Sequence, residues 1–353
     1  MRNMKKGICI VGGGWGRTKD ETKRSSFVTK LACTLGAHEA HNGGYLNALP
    51  QLKSDLNIWM PDIPNEVIKE YPLKPKGSCL IVSKVIRDIE GEHPYFQPLN
   101  RIFKMSANAV IAIDKRDPMK FQFSLIDALG NVWVETSEIH VLAASIIVFY
   151  VWSDQQIRKS MSHYMGNTVH KFMSDDLGSF LSVVRRNARD IVLGTKDRFF
   201  GNCSTRCMSL FPSLRYLDDN ECFLVSGRNT SKFDITQHDM VCVTSGLEYY
   251  GDKKPSVDTP VQIALYKHFT NINYMIHGHA FFKDAPTTED YYPCGDLREV
   301  ASITELMPDR ASDFFAINLR NHGFLIAAAS IQQLEEYLSN NTPEMSAFRH
   351  LYF

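Results

Sequence analysis

Residues 271–282, NINYMIHGHAFF, are apolar after the opening asparagines except for two histidines one residue apart. A run this short and this rich in Ile, Tyr, Met and Phe predicts a buried strand. Side chains two apart on a strand share a face, so His277 and His279 turn both imidazoles to one side, within reach of a single ion. Burying an imidazole costs free energy unless its nitrogens are satisfied. The residues alone allow two solutions: a two-point metal clamp, or one satisfied core histidine beside one at the surface.

The chain has 353 residues, more than one typical core serves. Two domains are the first expectation and a single large α/β domain the second. From residue 7 to about 152, the apolar runs GICIVGGG, LNIWM, SCLIVSKVI, AVIAI and FQFSLIDALGNVWVE alternate with polar stretches, one of them helix-like from Thr22 to Leu35. That rhythm predicts a Rossmann-like α/β domain over residues 1–160, and the hairpin signal DALGN makes part of its sheet antiparallel. The run IHVLAASIIVFYVW (139–152) is too short to cross a bilayer, which takes about 20 residues, and reads as a buried strand or helix. The apolar run of MRNMKKGICIVGGG stops at glycines with no cleavage-site pattern after it, so it reads as a first strand in a cytoplasmic chain.

VGGGWGRT (11–18) sits where doubly wound folds cradle a phosphate, but Gly12, Gly14 and Gly16 miss the dinucleotide spacing. A tight strand-to-helix turn is the better account of them. HNGGYLNALPQL (41–52) reads as a second loop of such a crevice, or as a plain loop.

A polar, Met-rich stretch after Trp152 places the domain boundary within 153–175 and the second domain over 161–353. An amphipathic helix is expected in LGSFLSVVRRNARDIVL. Strands are expected in NECFLVSG, DMVCVTSG, the histidine run and FFAINLRNHGFLIAAA, with helices at 260–270 and 330–339. Lys plus Arg equals Asp plus Glu at 39 each, so the chain lacks the basic excess that points to nucleic acid or an anionic membrane. A small or locally charged ligand fits better. Eight cysteines (9, 33, 79, 203, 207, 222, 242, 294) lie mostly in apolar stretches without disulfide or zinc-knuckle spacing, and read as reduced core thiols. Cys203 and Cys207 in CSTRC could form a metal pair, although no second pair answers them.

Two further stretches bear on the histidines. PSVDTPVQIALYKHF opens with helix-start signals, Thr259 as cap and Pro260 at the first helical position, and so sets Asp258 beside a positive helix end. INLRNHGFLIA puts His322 at a strand end, next to a glycine that permits close backbone approach. KPSVDTP followed by IHGH and then NHGFLIA, together with GNCSTR (201–206) and FLVSGRNTSKFDITQHDMVCV, resembles the class II aldolase/adducin family over roughly 170–345. The likeness is to its L-ribulose-5-phosphate 4-epimerase and L-fuculose-phosphate aldolase group. Nothing comparable covers residues 1–150.

This resemblance implies an α/β/α domain with a central, mainly antiparallel sheet, assembled as a homotetramer with active sites between subunits. It implies a divalent ion, usually zinc, on His277, His279 and His322. Asp258 stands where the aldolases carry a glutamate base and the epimerases a metal-ligating aspartate, which implies a fourth ligand, with helix capping as the alternative. Asp290 in APTTEDYYPC corresponds to the epimerase acid/base aspartate, on a shorter path from His279; Glu289 or a plain loop acid are rivals. Tyr291 and Tyr292 could donate a proton but read as surface residues. The substrate phosphate would be met by Gly201, Asn202, Ser256 and the turn at Arg228 and Asn229. Here the sequence departs from the family: Val257 replaces the second serine, and Arg228-Asn229 replaces a hydroxyl residue followed by glycine. One hydroxyl is exchanged for a cation suited to phosphate or carboxylate.

The activity thus implied is a zinc- or other divalent-metal-dependent aldolase or epimerase, acting on a small phosphorylated hydroxy-carbonyl such as a sugar phosphate. Breaking a carbon–carbon bond beside a carbonyl builds an enediolate, whose charge a Lewis-acidic metal stabilises while a carboxylate moves the hydroxyl proton. Two alternatives remain. One is a catalytically silent, adducin-like scaffold, and the other a bifunctional chain whose first domain binds a nucleotide-type ligand.

Overall fold

The computed structural model describes residues 7–12, 26–42, 54–60, 78–87, 95–117, 120–158, 162–166, 173–188, 194–195, 198–207 and 221–345. The chain divides into two compact units, Met1–Ile157 and Arg158–Phe353.

In the first unit the order is β1 (Ile8–Gly12), α1 (Ser26–Leu35), β2 (Glu39–Asn42), β3 (Leu56–Met60), β4 (Cys79–Ile86), α2 (Phe96–Met105), β5 (Ala109–Asp114), β6 (Gln122–Asp127), β7 (Val132–Thr136) and α3 (Ile139–Arg158). One seven-stranded sheet runs β2-β1-β3-β4-β5-β6-β7. Its first five strands are parallel, and β5–β6 and β6–β7 are antiparallel. β1 and β3 are buried from end to end, the mark of parallel strands covered on both faces. The architecture is mixed α/β, but β1 lies between β2 and β3, whereas the dinucleotide-binding order sets the first strand between the second and fourth. A Rossmann-like arrangement is therefore not established. Gly12 closes β1, where a Cβ would come within 2.7 Å of the Val28 side chain on α1. Gly14, Gly16 and residues 43–52 lie outside the described residues.

The DALGN hairpin forms around one buried carboxylate. Asp127 Oδ1 accepts from the backbone N–H groups of Leu129 and Asn131 at 2.8 and 3.0 Å, and Oδ2 accepts from Trp133 Nε1 at 3.1 Å. The run 139–152 resolves as helix: Leu142, Ile146 and Phe149 recur at helical spacing and are all buried. Two elements carry weak sequence signals. β2 is the polar EAHN at the sheet edge, and α2 holds Pro98 in its first turn, where proline is tolerated. Among the described residues, no helix is long and apolar enough to cross a membrane.

The second unit contains β8 (His163–Gly166), α4 (Asp175–Arg186), the small hairpin of β9 (Gly194–Thr195) and β10 (Arg198–Phe199), β11 (Asn202–Arg206), β12 (Cys222–Ser226), β13 (Met240–Thr244), β14 (Glu248–Tyr250), α5 (Thr259–His268), β15 (Tyr274–Gly278), β16 (Ala280–Phe281), α6 (Arg298–Leu306), β17 (Phe314–Leu319), β18 (Gly323–Ala328), α7 (Ile331–Asn340) and β19 (Glu344–Met345). Eight strands form a sheet in the order β17-β18-β15-β11-β12-β13-β14-β8, antiparallel except at β14–β8. Strand alternation divides the core between two faces. Leu224, Ile276 and Phe324 pack with Leu177 and Phe180 of α4 and Leu334 of α7. Val225, Met275 and Leu325 pack with Leu265 and Tyr266 of α5 and Ile303 of α6. All eight cysteines are free. Cys203 and Cys207, four residues apart on an extended path, are about 13 Å apart and cannot share an ion.

Candidate metal centre

His277 is the penultimate residue of β15 in the middle of the sheet, opposite Asn202 of β11 and Leu325 of β18. His279 follows one residue beyond that strand, and His322 sits in the turn between β17 and β18. The three ring centroids are 4.8, 4.8 and 5.4 Å apart, and one nitrogen of each ring lies within 4.8 Å of the others. Close backbone approach makes this convergence feasible. A Cβ on Gly323 would come within 2.0 Å of the Gly278 carbonyl oxygen, so only glycine lets β18 lie against the histidine strand there.

All three rings are at most 3% exposed. His277 Nδ1 donates to the Phe324 carbonyl at 2.8 Å, which leaves the Nε2 lone pair facing the cluster. Among the described residues, neither His277 Nε2 nor His279 Nδ1 has a hydrogen-bond partner, although both are buried. Burial, with the charge of His322 next, pushes the His277 pKa down to about 4; burial and the charge of His277 push His279 well below the usual imidazole range. Both rings are therefore neutral donors near neutral pH. His322 differs: burial lowers its pKa, but Cys294 and Glu299 outweigh burial and raise it well above the ordinary value. Its Nδ1 lies 2.9 Å from Glu299 Oε1 and its Nε2 3.2 Å from Cys294 Sγ.

Asp258 occupies the position just before α5, yet its side chain makes no capping hydrogen bond. Its Oδ2 accepts from Asn202 Nδ2 at 3.0 Å and lies 3.9 Å from His277 Nε2, while Oδ1 is buried without a partner. Thr259, expected as the cap, is instead the first helical residue, and its hydroxyl donates to the Ser256 carbonyl at 2.7 Å. Three buried imidazoles that converge within 4.8 Å, beside a carboxylate 3.9 Å from His277 Nε2, fit a divalent cation. A small cavity lined by Asp258, His277, Glu299, Ile303, His322 and Leu325 lies beside them.

The expected anion-binding residues also gather here. Gly201 takes φ +77° between β10 and β11, and Asn202 Nδ2 donates to Ser256 Oγ at 3.1 Å. Asn229, at φ +57°, accepts from the Phe199 N–H at 2.9 Å, and the Arg228 N–H donates to the Lys254 carbonyl at 2.7 Å. Three loops are thereby tied together beside Asp258. Asp290 is not among the groups around the histidines: it is exposed, as is Glu289, and its carboxylate accepts from the Tyr292 hydroxyl at 3.2 Å. Glu299 and Cys294 were not foreseen as site residues. In REVASITEL, Glu299 shares a helix face with Ile303, and a carboxylate on that apolar stripe is the signal that marks it. Cys294, in a loop, offers no comparable signal.

Residues 190–287 match the Class II Aldolase and Adducin N-terminal domain family. No curated protein sequence matches the chain. Among solved structures, YgbL from Klebsiella pneumoniae is 18% identical, with a TM-score of 0.35, covering 47% of this chain and 84% of that one. An L-fuculose 1-phosphate aldolase is 18% identical with a TM-score of 0.36, covering 48% and 84%, respectively. The L-fuculose-1-phosphate aldolase of Thermus thermophilus is 18% identical with a TM-score of 0.31, covering 50% and 94%.

Proposed function

Taking as premise that the C-terminal region is of class II aldolase/adducin type, we propose that this chain is a divalent-metal-dependent aldolase or epimerase. Its substrate is a small hydroxy-carbonyl carrying a phosphate, of the sugar-phosphate class. The observation that carries this reading is the convergence of three buried histidines, with one nitrogen of each within 4.8 Å of the others.

His277, His279 and His322 would hold the ion, zinc in the first instance, with Asp258 as fourth ligand. When bound, such an ion supplies Lewis-acid stabilisation of the negative charge that develops on the substrate oxygens. His277 and His279, held neutral by burial, leave most of the cation's charge available for that purpose. Asn202 holds Asp258 by one amide hydrogen while its carbonyl accepts from Gln262, so the carboxylate is oriented before substrate arrives. Asn202, Ser256 and the turn at Arg228 and Asn229 meet the anionic end of the substrate, with Gly201 leaving room for close approach. Asp290 serves as the acid/base group; its exposure on a loop suits a residue completed by substrate or by a neighbouring subunit in a homotetramer.

Metal content of the wild-type chain, purified without added metal and compared with His277→Ala, tests this reading. Near-stoichiometric divalent metal that disappears in the variant is expected, followed by cleavage or epimerisation in a screen of sugar phosphates. A wild type that is metal-free and fails to take up added zinc would overturn it and leave an adducin-like scaffold.

A further inference from the structure

Cys222 of β12, Cys242 of β13 and Cys207, the residue that follows the end of β11, come together on one side of the sheet. β12 pairs with β13 so that Leu224 faces Cys242 and Cys222 faces Thr244, which makes Cys222 and Cys242 diagonal neighbours on one face. β11 pairs with β12 up to Arg206 and Phe223, and the next residue of each chain segment is Cys207 and Cys222, respectively. The three sulfurs lie within 4.8 Å of one another; Cys207 and Cys242 are buried and Cys222 is half-buried at the start of its strand. Cys207 and Cys242 belong to the core beneath α4 and α7, whereas His277 lines the cavity on the α5 and α6 side. Along β11, Cys207 is five residues from Asn202, the partner of His277, or about 16 Å.

We propose that Cys207, Cys222 and Cys242 form a second metal site, a three-thiolate site for a thiophilic divalent cation, separate from the histidines. The ligand set is all sulfur, which selects soft ions over magnesium, calcium or manganese. With metal–sulfur bonds of about 2.3 Å, a planar three-thiolate site has sulfurs about 4.0 Å apart, so the observed cluster closes on an ion with side-chain shifts of under an ångström. Binding releases three protons: one dication and three thiols give a complex of charge −1. Cys222, half-buried, keeps that charge close to solvent and so limits its desolvation. The competing chemistry is oxidation, because two thiols this close can also form a disulfide when an oxidant takes up the two electrons and two protons.

The probe is cadmium, titrated into the full chain under reducing conditions in a His277→Ala, Cys294→Ser background that disables the histidine centre. One equivalent is expected to produce the ultraviolet sulfur-to-cadmium charge-transfer band of three thiolates. That band should vanish with Cys222→Ser or Cys242→Ser and persist with Cys33→Ser. Cadmium NMR of the background chain, with all three cysteines intact, should place the ion in the strongly deshielded, sulfur-rich range, a readout that does not depend on whether a variant folds. Cadmium uptake unchanged by Cys222→Ser, a resonance in the nitrogen- and oxygen-ligand range, or a stoichiometric Cys207–Cys222 disulfide in chain purified without reductant would each overturn the proposal.

Discussion

Glu299 Oε1 sits 2.9 Å from His322 Nδ1, and both side chains are fully enclosed. A carboxylate there accepts the Nδ1 proton, fixes the ring orientation and leaves Nε2 as the donor turned toward the cluster. Glu299→Gln keeps the shape and removes the charge. We expect zinc affinity, measured by competition with a chelator, to fall by roughly 10- to 100-fold. Unchanged affinity would show that Glu299 serves packing alone.

Gly323 is the point where β18 meets the histidine strand, and a methyl carbon added to it would stand 2.0 Å from the Gly278 oxygen. Gly323→Ala must push the two strands apart. We expect a loss of about 2–4 kcal/mol in a denaturant titration, together with loss of bound metal, since His322 is the adjacent residue. Full metal retention at wild-type stability would contradict this account of how the turn is built.

Lys232 is 1% exposed, its ammonium group donating to the Thr230 carbonyl at 2.8 Å, and burial pushes its pKa down to about 8 from 10.5. Between those two values the unfolded chain holds a proton that the folded chain has released, so stability gains from this residue as pH rises through that window. Below about pH 8 both states are protonated and the folded state bears the whole cost of the buried charge, about 3 kcal/mol. Lys232→Met should accordingly gain stability at neutral pH, and its advantage over wild type should shrink as pH rises from 8 to 10.5. Parallel stability curves across that range would refute the assignment.

Asp127 holds its hairpin by accepting hydrogen bonds from two backbone amides and one indole, beside the Asn131 side-chain amide. Asp127→Ala strands all three donors, and we expect about 2–4 kcal/mol of destabilisation, read as a lower thermal midpoint with tryptophan fluorescence following the change at Trp133. A midpoint within a degree or two of wild type would mean that water replaces the carboxylate.

Much of this arrangement is legible in the sequence, because burial and periodicity are local properties. The apolar runs give β1, β3, β4 and β5, and the DALGN signal gives the β6–β7 turn. His277 and His279 announce themselves by alternation, and His322 by the glycine after it. What stays hidden depends on register between distant segments. Glu299 becomes a partner of His322 only when α6 packs against the β17–β18 turn, and Cys222 meets Cys207 and Cys242 only through pairings of β11, β12 and β13 that no single stretch encodes. The role of Asp258 shows the same limit. Helix-start chemistry explains an aspartate there, and only the placement of Asn202 across the sheet turns its carboxylate away from the helix. The strand order of the first unit is equally non-local, since β2 is a short polar edge strand.

The pairing of β15 with β11 on one side and β18 on the other also decides which face of the sheet the histidines occupy. A slip of one residue in β15 would carry both imidazoles through the sheet to its opposite face, away from Asp258 and His322. Only the native alignment assembles the complete cluster, so an ion captured there would reward one register and ignore its neighbours. Register and ligand assembly are therefore one requirement: the alignment that buries Ile276 on one face is the alignment that turns His277 toward Asp258 on the other.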